Sequence, residues 1–211
     1  MPQNNSKIAR IGSFIRRKTS QKHRFNLQYE KKLWDGLRAI EDLGRYSLIV
    51  GYSKFFFPNA RILDLGCGEG VLLERFTPSD YSYYQGIDIS DVAIDNARKT
   101  GRSKAFFIAG DLNTLQIEEK FDVIVYNESL YYLTSPKKAV KSILKNLNPD
   151  GVIIVSNFNK HGREATTLWS ELSEILDLKG KSNITNMKGD SWTVHVYKMK
   201  APENTGINTQ I

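Results

Sequence analysis

The chain has 211 residues, 40% of them hydrophobic, which suits one domain with a real core. No apolar run nears the roughly 20 residues of a membrane span, the basic N-terminus lacks the apolar core of a signal peptide, and the single cysteine, Cys67, excludes an internal disulfide or a cysteine-built zinc site. The net charge of +7 is lopsided: residues 1–32 hold nine Lys or Arg and one acid, while the remainder holds 21 basic and 22 acidic residues, so the basicity belongs to an N-terminal arm.

Residues 1–28 are read as a basic, flexible arm. Ile8, Ile11, Phe14 and Ile15 fall at helical spacing among Lys and Arg, which suits an anionic membrane surface or a partner protein. Leu33, Leu37, Ile40 and Leu43 then mark a first helix over 29–43. Gly44 is expected to break it, and a second helix is expected to run to Phe57 before Pro58-Asn59. Residues 29–58 are therefore read as capping or lid helices ahead of a sheet core over 60–200, with 201–211 as a polar tail.

The sheet opens with Arg61-Ile-Leu-Asp-Leu65, which runs into glycines at 66, 68 and 70. A helix is expected to start near Val71–Leu73, giving a strand, a glycine turn and a helix N-terminus, a nucleotide-binding corner. Tyr83 to Ile89 reads as the second strand, with Ser90 capping a helix to Lys99. Lys104–Ala109 and Phe121–Tyr126 read as the third and fourth strands, the latter apolar enough to be buried on both faces. Ser135-Pro136 starts a helix, and Pro149-Asp150-Gly151 turns into a fifth strand, Val152–Ser156. Ala165 to Leu176 has a helical apolar face. Segments 182–187 and 191–199 around Gly189-Asp190 read as a closing hairpin.

The glycine spacing separates cofactors. A dinucleotide fingerprint needs Gly-x-Gly-x-x-Gly, whereas here the third glycine arrives one residue early and Asp64 precedes the first by two. Asp88 ends the second strand, where an acid accepts from both ribose hydroxyls, and Asp111 follows the third, where it and the Leu112 N–H can read an adenine edge. In this combination, ILDLGCGEG, GIDIS, GDL and FDVIVYNE resemble in order the motifs of class I S-adenosylmethionine (SAM)-dependent methyltransferases, over residues 60–160.

That resemblance implies a Rossmann-like α/β fold, a doubly wound, seven-stranded, mostly parallel sheet with an antiparallel C-terminal hairpin. It implies an enzyme with SAM as cofactor, and the single cysteine makes a reducing, cytoplasmic setting the default. Asp64, Gly66, Cys67 and Gly68 would shape the methionine side, Asp88 and Ile89 the ribose side, Asp111 and Leu112 the adenine side, and Asn127 the wall near the sulfonium. Glu128 at the pocket mouth is a candidate to take a proton or hold an ammonium, with a helix N-terminal acid as the competing reading. Tyr131 is a second catalytic candidate. Tyr29, Trp34, Arg45, Tyr46 and Tyr132 are candidate acceptor contacts, Arg45 alternatively meeting the cofactor carboxylate.

The segment after the fourth strand is Asn-Glu-Ser-Leu, not the Asn/Asp-Pro-Pro-Tyr/Phe of methyltransferases acting on nucleic-acid amines and many glutamine amides. A small-molecule acceptor, methylated on O or N, is therefore expected in preference to nucleic acid. Trp34, Leu43-Gly-Arg-Tyr-Ser and the run 128–132 are similar to nodulation-factor N-methyltransferases, which favours a saccharide or glycan precursor. The competing readings are a tRNA or protein methyltransferase that uses the arm, or a SAM-binding module without catalysis.

Overall fold

The computed structural model describes residues 20–201. The membrane or partner contact expected of the N-terminal arm falls largely outside them. Among the described residues no helix is long and apolar enough to cross a membrane.

Seven strands form one sheet in the order β3-β2-β1-β4-β5-β7-β6. They are β1 (Ala60–Leu65), β2 (Tyr81–Asp88), β3 (Ala105–Ala109), β4 (Phe121–Asn127), β5 (Leu147–Phe158), β6 (Leu176–Thr185) and β7 (Ser191–Met199). β1 to β5 pair in parallel, while β7 runs antiparallel to both β5 and β6. This is the expected Rossmann-like sheet with its C-terminal hairpin.

Alternation along the central strands sends side chains to opposite faces. Ile62, Val123, Val125 and Ile154 join one apolar layer; Leu63, Leu65, Ile124 and Val155 join the other. The first layer is covered by α2 (Ile40–Phe56) and α3 (Asp91–Arg98), the second by α4 (Pro136–Ile143) and α5 (Thr166–Ser173). Both layers are thus largely apolar, which leaves the strand ends as the place for a polar site.

Several expected boundaries move. The first helix, α1, runs Gln21–Glu30, earlier than expected and across the boundary drawn at residue 28. The Ser20 hydroxyl caps it by accepting from the His23 N–H. Residues 31–34 are a turn, and Asp35–Arg38 form a short 3-10 helix. Gly44 does not break a helix; it lies inside α2. A Cβ there would stand 2.8 Å from Ile184 Cγ1, so glycine lets α2 lie close against β6. The segment 29–58 therefore splits into α1, a cap, and α2, a structural layer whose Tyr46, Ile49 and Ser53 are buried.

The helix expected after the glycine turn is replaced by a 3-10 turn, Leu73–Arg75. Val71, Leu72, Leu73 and Phe76 are all buried. Consecutive apolar residues cannot all face one way from an α-helix, whose buried stripe recurs every three or four residues. Pro149-Asp150-Gly151 sits inside β5 at a register shift against β4, not ahead of the strand. Leu176, expected on the last helix, opens β6 instead.

Candidate active site

The turn after β1 is built by glycine. Gly66, Gly68 and Gly70 have φ of 86°, 54° and 78°, where side chains are strained. A Cβ on Gly66 would stand 2.3 Å from Ser129 Cβ, and one on Gly68 would stand 2.6 Å from Tyr29 Oη. The first glycine thus lets the loop after β4 close on the turn, and the second lets the capping helix approach it. The Gly66 and Cys67 N–H groups both donate to the Ile87 carbonyl, at 2.7 and 3.0 Å, which ties the turn to the end of β2.

Asp88, at that end, is buried. One carboxylate oxygen accepts from the Gly68 N–H at 2.9 Å, the other from the Ser90 N–H at 2.9 Å. Burial raises its pKa, while these donors and the Ile89 N–H work to lower it. A carboxylate has about four acceptor positions, so these donors leave it acceptor capacity for a ribose hydroxyl.

Above these strand ends lies a concave pocket open to solvent on one side, the place where open α/β sheets take ligands. Gly66, Cys67, Gly68, Asp88, Ile89, Asp111, Leu112 and Asn127 line it, as do Glu128, Tyr131, Tyr132, Tyr29, Trp34, Arg45 and Tyr46. Asp64 does not. It is fully buried beneath the turn, where its Oδ2 accepts from Tyr84 Oη at 2.5 Å and its Oδ1 has no partner. Burial pushes its pKa up to about 7. The placement of Asp64 on the cavity wall is therefore corrected: β-strand alternation turns it into the core beside Tyr84. Asp111 is exposed, and its Oδ1 accepts from the Asn113 N–H and amide, which shapes the loop after β3. Burial also pushes the Cys67 thiol well up, which makes it a space-filler.

The polar end of the cavity is a chain of contacts. Arg45 is buried; it donates to Asp42 Oδ1 at 2.8 Å and to Asn127 Oδ1 at 2.5 Å. Its guanidinium lies over the rings of Tyr46 and Trp192. Glu128 has φ of 57°, outside the usual range for a side-chain-bearing residue. Its Oε1 accepts from Ser156 Oγ at 2.9 Å, and its Oε2 from the Phe158 N–H at 2.9 Å and Tyr131 Oη at 3.4 Å. Burial raises the Glu128 pKa, against Arg45 and these donors, which lower it.

Helix α1 roofs the cavity between its two walls. Asn26 accepts from Ser90 Oγ at 2.7 Å on one side, and Gln21 donates to the Tyr132 carbonyl at 3.2 Å on the other. Phe25 packs edge-on to Tyr132 and stacks on Trp34. Arg38 bridges Glu69 and Glu74, pinning the segment after α1 to the glycine turn.

The sequence reading passed over Phe25, Glu69, Ser129 and Ser156. Phe25 and Tyr29 are spaced one helical turn apart, a signal masked by the polar and basic residues around them. Glu69 sits in the glycine motif itself. Ser129 and Ser156 carry no local signal; their hydroxyls matter through Leu65 O and Glu128 on neighbouring strands.

A family model described as a methyltransferase domain matches residues 56–201. The chain is 25% identical over 173 residues to a malonyl-[acyl-carrier protein] O-methyltransferase of Bacillus anthracis, covering 79% of this chain and 63% of that protein. It is 27% identical over 144 residues to a ubiquinone biosynthesis O-methyltransferase of Neisseria meningitidis, covering 62% of this chain and 58% of that protein. The chain thus spans under two thirds of the length of these curated relatives. In fold it is similar to the N-methyltransferase NodS from Bradyrhizobium japonicum WM9, solved with S-adenosyl-L-homocysteine: TM-score 0.72, 21% identity, covering 84% of this chain and 99% of that one.

Proposed function

The chain belongs to the methyltransferase-domain family, and on that premise we propose that it is an enzyme that transfers a methyl group from SAM to an O or N atom of a small molecule. The observation that carries this reading is the cavity at the ends of β1, β2 and β4, where a glycine cradle and Asp88 meet Asn127, Glu128 and Tyr131. The residues present fit the cofactor. Positive-φ glycines open room at the turn, and Asp88 keeps acceptor capacity for a ribose hydroxyl. Gly66, Cys67 and Gly68 would border the methionine portion, Asp88 and Ile89 the ribose, Asp111 and Leu112 the adenine, and Asn127 the sulfonium. SAM supplies a methyl group already activated on a sulfonium.

The protein's task is then to orient the acceptor and exclude water, which is worth up to roughly 7–11 kcal/mol in favourable cases. Helix α1 and the aromatic residues Phe25, Trp34 and Tyr132 exclude water. Glu128 is the general base, and Tyr131 faces the transfer. Tyr29, Trp34, Arg45, Tyr46 and Tyr132 contact the acceptor. Within small molecules we favour a polar acceptor such as a saccharide, because the Tyr131 hydroxyl stands beside the Glu128 carboxylate at the pocket. The basic arm is read as a tether to an anionic membrane surface or partner protein, supported by its seven basic residues and no acid over residues 1–28.

The test is incubation with methyl-labelled SAM and a small-molecule extract, with protein and RNA fractions in parallel. Label is expected in the small-molecule fraction. Label confined to protein or RNA would replace the acceptor class, and no transfer into any fraction despite SAM binding would favour a non-catalytic module.

A further inference from the structure

Ser156 ends the parallel pairing of β5, opposite Asn127 of β4, and is buried. Its hydroxyl lies 3.1 Å from the Glu128 N–H, 2.9 Å from Glu128 Oε1 and 3.0 Å from Asn127 Oδ1. A serine hydroxyl has one proton to give. Asn127 Oδ1 already accepts from Arg45, so the proton goes to the carboxylate, where a charge-assisted bond is stronger. The oxygen then accepts from the Glu128 N–H. Ser156 thus grips Glu128 at both its backbone and its side chain. A residue bearing a side chain stays in the left-handed region when its surroundings over-determine it. Here Ser156 and the Phe158 N–H supply that restraint.

The carboxylate so held has three donors on it: Ser156 Oγ, the Phe158 N–H and Tyr131 Oη. Tyr131 is 45% exposed and lines the cavity, so Tyr131, not Glu128, presents the wider face to an acceptor. The charged and titratable groups facing Glu128 are Arg45 from α2, with Asp42 behind it, and Tyr131 and Tyr132 from its own loop. From β5 it meets only the uncharged donors already named.

We propose that Ser156 is a positioning residue for methyl transfer: it locks Glu128 in its left-handed conformation and aims the carboxylate at Tyr131, so that the acceptor's proton leaves through Tyr131 to Glu128. The acceptor's O–H or N–H proton passes to Tyr131 Oη as the tyrosine's own proton passes to Glu128 Oε2. The acceptor lone pair forms the bond to the methyl carbon, and the carbon–sulfur electrons stay on sulfur. This inference rests on the methyltransferase reading above.

The test follows the Glu128 carboxyl by carbon-13 NMR across pH in the full chain without added ligand, assigned by its loss in Glu128→Gln. A hydroxyl donor favours the charged carboxylate, so its removal raises the midpoint. Ser156→Ala is expected to raise it by about one pH unit. Ser156→Thr, which keeps the hydroxyl, is expected to restore it. A midpoint unchanged in a folded Ser156→Ala chain overturns the proposal. If alanine unfolds the chain, Ser156→Cys decides on the same midpoint, since a thiol is a weak donor. Calorimetry with SAM on the wild-type chain runs beside it. Absent binding there would defeat the methyltransferase reading, whereas intact binding with an unmoved Glu128 midpoint defeats only this role of Ser156.

Discussion

Asp88→Asn is the substitution whose effect the geometry specifies most fully. In the wild-type chain both carboxylate oxygens accept a backbone N–H at 2.9 Å, one from the glycine turn and one from the start of α3. Asparagine offers one carbonyl oxygen, so one of those donors faces an amide N–H₂ instead. Hydrogen bonds to charged groups are worth roughly 1.5–3 kcal/mol. Losing one at the turn, together with an acceptor for the ribose, is expected to weaken SAM binding by roughly 10- to 100-fold. The substitution is nearly isosteric, so the chain should remain folded. Burial raises the Asp88 pKa, and the measurement is therefore made at pH 8, which favours the charged form. Isothermal titration calorimetry reads the affinity, and circular dichroism checks the fold. Affinity within twofold of wild type in a folded variant would refute the ribose role.

Two further outcomes follow from the same region. Gly66→Ala forces a side chain into φ of 86° and places its Cβ 2.3 Å from Ser129 Cβ; backbone strain alone is on the order of 1–3 kcal/mol, so a thermal melt should fall by several degrees, and an unchanged melt would contradict the packing of the β4 loop on the turn. Asp64→Asn tests a buried acid. Its folded pKa of about 7 exceeds the ordinary 3.8, so the folded state binds the proton more tightly and stability is lost as pH rises from about 4 to about 7. The difference in melting temperature between variant and wild type should therefore grow in the variant's favour across that window and level off above it. The full effect is on the order of 4 kcal/mol at most, and a difference that is flat with pH would show that Asp64 does not titrate there.

The glycine turn, Asp88 and the sheet were legible because their signal is short-range. A strand that alternates between two buried layers, a turn that needs positive φ and an acid at a strand end each leave a mark within a few residues. Asp64 shows the limit: its position in the motif was plain, but strand alternation and the partner Tyr84 decided that it points inward. The capping helix was misplaced for a related reason. α1 has no buried residues, so its apolar periodicity is faint, and its contacts to Ser90 and Tyr132 lie far along the chain. Gly44 reads locally as a breaker and is retained because Ile184 lies against it. Ser156 looks like any strand residue until the left-handed Glu128, just past the end of β4, is placed beside it.

The central claim is that the cavity over the β1 turn is a SAM site and not a dinucleotide site. Calorimetric titration of the full chain with SAM, S-adenosylhomocysteine and NAD tests it directly. Saturable binding of the first two and none of NAD is expected. Tight NAD binding with no heat from SAM would contradict it.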